Sequence, residues 1–73
     1  MKFPSREQVE RVRQAYPVGC RVILRKMDDD YAPPVGTEGT VYGVDDTGSL
    51  MVDWSNGSSL NVLYDIDVAE RVI

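Results

Sequence analysis

The sequence predicts a mainly β fold: a small five-stranded barrel with one N-terminal α-helix, in a single domain over residues 1–73. Three observations carry this expectation. Between Pro34 and Leu60, short apolar runs alternate with turns rich in Gly, Asp and Asn, the signature of successive hairpins. Helical apolar spacing is confined to the first part of the chain. A chain of 73 residues buries only about 60% of its unfolded surface. Short strands in so small a chain are therefore expected to close on one another, since an open meander leaves an apolar face wet.

The helix is expected over about residues 5–16. Ser5 is placed to cap it, with Gln8 at the spacing of a reciprocal capping box. Val9, Val12 and Tyr16 form a narrow apolar stripe, and Glu7 precedes Arg11 by one turn in the favourable order. Pro17 and Gly19 end the element. A helix this short is marginal alone and needs a surface to pack on.

The barrel is expected over about residues 19–73. In the first strand, Cys20 to Met27, Cys20, Val22 and Leu24 point inward and alternate with Arg21, Ile23 and Arg25. The loop from Asp28 to Gly36 carries three adjacent carboxylates unfit for a core, and its Pro33-Pro34 pair cannot donate to a ladder. The second strand runs from about Glu38 to Asp45. Val41 and Val44 can both face inward there only if a bulge intervenes, and Gly43 suits one. After the turn at Asp46-Thr47-Gly48, Leu50, Val52 and Trp54 alternate with Met51 and Asp53. Asn56-Gly57 predicts a type I′ turn. A fourth strand at about Ser59 to Leu63 turns Leu60 and Val62 inward. Tyr64 to Asp67 forms a short helical turn, and Ala69 to Ile73 closes the barrel. Gly36, Gly39, Gly48 and Gly57 all read as turn residues. One helix followed by five short strands, with a long first loop, is the layout of an SH3-like barrel.

The runs Tyr16-Pro17-Val18-Gly19-Cys20-Arg21-Val22, Met27-Asp28-Asp29, Ala32-Pro33-Pro34-Val35-Gly36-Thr37-Glu38-Gly39-Thr40-Val41, Val44-Asp45-Asp46-Thr47-Gly48 and Trp54-Ser55-Asn56-Gly57 carry a family resemblance. Together, across about residues 6–73, the chain resembles a bacterial and phage family of small proteins, domain of unknown function number 4314. The Pro-Pro-x-Gly-Thr-x-Gly-Thr-Val string is the specific part; the Asp/Gly and Asn/Gly turns are common to many barrels. Ser55 departs from the aspartate usual in that family before Asn-Gly. The resemblance implies the fold and transfers no site, because the family has no assigned activity.

Charge is divided along the chain. Residues 1–26 carry seven cations against two acids, and residues 27–73 one cation against ten, giving +5 and −9 within a net −4. Such halves either pair internally, a basic helix lying on an acidic barrel, or present two faces to partners. The longest wholly apolar run, Val22-Ile23-Leu24, is far below the ~20 residues of a membrane span. The first seven residues hold no apolar core of a secretory signal. A single cysteine fits a reducing compartment. A cytoplasmic protein is expected.

Little in the chain points to catalysis, and no cofactor, metal or catalytic residue is expected. Histidine, the commonest general base, is absent. Cys20 reads as a small buried hydrophobe; acting as a nucleophile, it would need a base that the sequence does not supply. Asp28-Asp29-Asp30 and Asp45-Asp46 lack the spacing of a calcium loop, and Gly36-Thr37-Glu38-Gly39 lacks the lysine of a phosphate loop. Carboxylate pairs are plentiful, but so small a barrel has no cleft in which burial would raise a carboxyl pKa.

Binding is what remains, and the expected role is a monomeric, non-catalytic protein-interaction module. Tyr31 follows three aspartates and precedes Pro33 and Pro34; it either clamps the loop to the barrel or stands out as an anchor for a partner. Trp54 belongs to the inward set. Arg6, Arg13 and Arg25 mark the basic helix and first strand as a second contact surface. The alternative is a nucleic-acid-binding barrel using that same basic region, including Arg21 and Lys26. The −9 half and the lack of interleaved aromatic and basic residues oppose it.

Overall fold

The computed structural model describes residues 4–72. Ile73, the expected end of the closing strand, and Lys2, counted in the basic half, lie outside them. Helix α1 spans Arg6–Ala15, and four strands follow: β1 (Arg21–Lys26), β2 (Glu38–Val44), β3 (Leu50–Trp54) and β4 (Val68–Val72).

Helix α1 begins where its capping chemistry places it. The Gln8 N–H donates to Ser5 Oγ at 3.2 Å, and the Ser5 N–H donates to Gln8 Oε1 at 2.8 Å, completing the capping box. The expected Glu7–Arg11 pair is replaced by Arg13–Glu10 at 2.8 Å. Arg13 turns toward the sheet as well, donating to the Val44 carbonyl at 3.2 Å and to Asp46 at 3.3 Å. Val9 is buried, and Val12 and Tyr16 pack against the core. At the far end, the Tyr16 hydroxyl donates to the Ala69 carbonyl and Arg71 donates to the Ala15 carbonyl. The helix C-cap thus gives one backbone group of the edge strand β4, the Ala69 carbonyl, a partner.

The strands form one antiparallel sheet in the order β3-β2-β1-β4. The inward residues are Val22 and Leu24, Val41 and Val44, Leu50, Val52 and Trp54, and Ala69, with Val9 and Val62 completing the core. The bulge needed to turn both Val41 and Val44 inward is present: Val41 faces Val52, Gly43 faces Met51, and Tyr42 is the extra residue between them.

The closed five-stranded barrel does not form. The sheet is open, and the expected fourth strand at 59–63 is reduced to one antiparallel bridge, Leu50 with Val62. The cause is local competition for backbone groups. The Ser58 N–H donates to Asn56 Oδ1, the Leu60 N–H to Ser58 Oγ, and the Leu60 carbonyl accepts from Trp54 Nε1 at 2.9 Å. Only the Trp54 N–H to Ser58 carbonyl bond and the Leu50–Val62 pair then hold this segment to β3 through the backbone. Short polar side chains offering nearby partners weaken a ladder in this way. The Tyr64–Asp67 segment makes a single turn in which the Ile66 and Asp67 N–H groups both donate to the Leu63 carbonyl, with Asp65 at φ 60°.

The Asn56-Gly57 turn is not type I′, since that turn requires positive φ at both central residues. Among the described residues Gly57 has φ 90° while Asn56 does not have positive φ. The Gly57 N–H donates to the Trp54 carbonyl and the Trp54 N–H to the Ser58 carbonyl, the pattern of a three-residue loop ending in a glycine bulge. Asp45–Ser49 repeats it, with Gly48 at φ 79°.

Asp45 organises that second turn. Partial burial disfavours its charge, but the Thr47 hydroxyl, the Ser49 and Thr47 N–H groups and the charge of Arg13 together hold its carboxyl below the usual range. A depressed folded-state pKa contributes stability that is present above the ordinary carboxylate value of about 4 and is lost as pH falls through the lower folded value. Urea midpoints measured from neutral to acid pH are expected to fall more steeply below about pH 4 in the native chain than in Asp45→Asn. Equal slopes would exclude Asp45 as a source of acid sensitivity.

Candidate protein-interaction surface

The long loop between β1 and β2 is built by its own backbone. The Tyr31 N–H donates to Asp29 Oδ1 at 2.7 Å and the Ala32 N–H to the Asp29 carbonyl, forming a tight turn. Thr37 returns the chain through its N–H and hydroxyl, both donating to the Pro34 carbonyl. The Gly36 N–H donates to the Leu24 carbonyl, and the Leu24 N–H to the Thr37 carbonyl, so the loop leaves and rejoins the sheet at one point.

Of the loop residues singled out in the sequence, Pro33 is buried beneath the loop, whereas Pro34 is exposed. The Tyr31 side chain is 85% exposed, standing out from the loop, and nearby Val35 is 67% exposed. A Tyr31 clamp on the barrel is therefore not what forms; Pro33 occupies the inward position.

The basic residues do not gather into a free cationic face. Arg13 lies between Glu10 and Asp46, Arg25 meets Glu70 at 2.9 Å, and Arg21 approaches Glu38 at 3.9 Å. Three arginines of the basic half are thus paired with acids of the other half. Hydrogen bonding to Glu10 and then Asp46, together with their charges, outweighs desolvation and raises the Arg13 pKa further. These pairs are solvent-exposed and each contributes little to stability, but they neutralise charge where phosphate would have to bind. Arg6 is exposed near the start of α1, and among the described residues no acid lies within ion-pair distance of it.

Two further features could not be read along the chain. Asp67 accepts from the Asp28 N–H through Oδ1 and from the Leu63 N–H through Oδ2, both at 2.9 Å. It thereby ties the end of β1 to the turn before β4. Beside it lies a cleft of about 290 Å³ whose lining includes Met27, Asp28, Asp29, Leu60, Leu63 and Asp67. Asp67→Ala is expected to cost about 1–2 kcal/mol, because two N–H groups lose a charged acceptor that water replaces only in part. Chemical denaturation would give the size, and faster hydrogen exchange at the Asp28 and Leu63 amides would locate it. Unchanged exchange at both would show that the carboxylate does not hold the loop.

Chemistry at the remaining candidates is subdued. Cys20 is half-buried, and desolvation pushes its thiol pKa up, with Arg71 opposing only in part. A thiol so placed is a poor nucleophile at neutral pH. Among the described residues, no three His, Cys, Asp or Glu side chains gather closely enough to hold a metal ion. Nor, among them, is any helix long and apolar enough to cross a membrane.

An N-terminal helix on an open antiparallel sheet, with an exposed aromatic on a long first loop, defines a small mainly β domain. The chain belongs to the family described as Domain of unknown function (DUF4314), whose model matches residues 5–72. No curated protein and no solved structure matched the chain.

Proposed function

We propose that this protein is a non-catalytic protein-interaction module, a cytoplasmic monomer whose fold is a partly opened SH3-like barrel. The sheet order supports that topology: the last strand pairs with the first, and Val62 extends the sheet beyond β3 toward a fifth strand. The observation that carries the functional reading is the 85% exposure of Tyr31 on a loop whose backbone is pinned at both ends. An aromatic presented on an ordered loop offers a partner large apolar area at small entropic cost. Pro34 and Val35 flank it on the same loop. The helix face bearing Arg6 is a secondary contact at most, since Arg13 and Arg25 are already paired.

The test is a pulldown from the native host comparing the native chain with Tyr31→Ala. Loss of partners from the variant is expected, and an unchanged set of partners would eliminate the loop as the anchor. Nucleic-acid binding is disfavoured by the pairing of Arg13, Arg21 and Arg25. Fluorescence anisotropy with duplex DNA at low salt should show no binding; tight binding that weakens steeply with added salt would reverse this assignment.

A further inference from the structure

Ion pairing reaches only some of the acids of this chain. Glu10, Glu38, Asp46 and Glu70 each sit within ion-pair distance of an arginine, and Asp45 is occupied by its own turn. Glu7, Asp28, Asp29, Asp30, Asp53, Asp65 and Asp67 have no such cation among the described residues, and of these Asp28, Asp29 and Asp67 meet around one cleft. The convergence is set by the Asp28 N–H bond to Asp67, which joins segments 39 residues apart.

These acids border apolar surface. The cleft of about 290 Å³ has Met27, Leu60 and Leu63 in its lining and Asp28, Asp29 and Asp67 around it. On the other side of Leu63 and Asp67 lies a second hollow of about 220 Å³, with Val12, Tyr16, Val62 and Val68 among its lining residues. Leu63 is 43% and Val68 49% exposed. Apolar floors beside carboxylates that have no paired cation suit an arginine or lysine whose alkyl stem lies on the floor while its charged head meets the rim. The same rim repels phosphate, so a nucleic acid is the wrong ligand for it.

We infer that the cleft between the Met27–Asp29 loop and the Leu60–Asp67 segment binds a short basic segment of a partner protein that also carries apolar side chains. The inference rests on the interaction-module reading and gives it a site and a ligand chemistry. It places the main contact beside the Tyr31 loop, not on the basic helix.

The probe is a short synthetic peptide of alternating Arg and Leu, titrated into the full chain and followed by amide chemical shifts; a Glu/Leu peptide is the control. The Arg/Leu peptide should shift the amides of Asp28, Leu60, Leu63 and Asp67, and the Glu/Leu peptide should shift none of them. Asp28→Asn with Asp29→Asn should weaken binding about tenfold. Asparagine keeps an Oδ1 acceptor for the Tyr31 N–H, and an otherwise unchanged amide spectrum verifies the fold. Glu7→Gln with Asp53→Asn removes the same charge elsewhere and should leave affinity within about twofold. Equal weakening by the two double variants, equal binding of the Glu/Leu peptide, or shifts confined to other surfaces would each overturn the inference. The host pulldown separates the two claims. If Tyr31→Ala removes the partners while Asp28→Asn with Asp29→Asn retains them, the cleft fails and the module stands; if both variants retain every partner, both fail.

Discussion

Replacing Trp54 with alanine is expected to cost about 3–5 kcal/mol, the range for truncating a large buried aromatic. A domain of this size has roughly 4–11 kcal/mol of total stability, so the variant should be marginally folded or unfolded. Trp54 is 2% exposed, and its ring lies against the β2 backbone at Gly39. Its indole N–H also donates to the Leu60 carbonyl, part of the bonding that holds the 58–62 segment where no continuous ladder forms. Two losses therefore coincide: core volume and the tether of the 58–62 segment. Trp54→Phe separates them. It keeps most of the apolar area but leaves the Leu60 carbonyl without its donor, an expected cost of about 1–3 kcal/mol. Urea unfolding followed by far-ultraviolet circular dichroism measures both variants without relying on the chain's single tryptophan. Hydrogen exchange should show the Leu50 and Val62 amides opening first in Trp54→Phe. A cost below about 1 kcal/mol for the alanine variant would mean that the core is not centred where the burial places it.

What was legible in the sequence was whatever depends on near neighbours. The capping box needs Ser5 and Gln8 three residues apart, and it forms as the spacing indicates. The bulge after Val41 follows from two valines out of phase on one strand, and it too is present. The third strand was legible because Leu50, Val52 and Trp54 alternate without interruption. Closure of the barrel was not. Residues 59–63 carry an acceptable alternation, but Asn56 and Ser58 side chains take up the N–H groups that a ladder needs. Composition records that these residues are turn formers without recording which N–H they will satisfy. The Asn56-Gly57 turn departs from type I′ for a related reason: Asn-Gly is compatible with two loop geometries, and a single positive φ at Gly57 satisfies the longer one.

The candidate surface divided in the same way. Tyr31 among loop-forming residues was visible locally, but the burial of Pro33 beside an exposed Pro34 depends on how the loop folds back over the sheet. The division of charge was plain from the sequence, and its resolution into Arg13–Asp46, Arg21–Glu38 and Arg25–Glu70 required the sheet register and the helix position. The acidic cleft was invisible because Asp28 and Asp67 meet only through tertiary structure.

Gly39, which its neighbours in sequence mark as a turn glycine, lies inside β2 opposite Trp54. What requires glycine there is the space above its Cα. A Cβ at this position would come within 2.5 Å of Val52 Cγ1 and 2.7 Å of Trp54 Cε3. Both neighbours are buried core side chains that have nowhere to move. Gly39→Ala is therefore expected to destabilise by about 1–3 kcal/mol through overpacking, despite the better strand former it introduces. Gly43, four residues along the same strand, supplies the contrast. A Cβ there would strike only the terminal methyl of Met51, the far end of a flexible, half-buried side chain. Swinging that methyl aside costs little, and alanine restricts the unfolded chain by about 0.4–1 kcal/mol relative to glycine, so Gly43→Ala should be close to neutral. Urea midpoints of the two variants are the measurement. Equal costs would mean that the requirement is for backbone freedom in β2 in general; a large cost at Gly39 alone identifies it as the seat of the tryptophan.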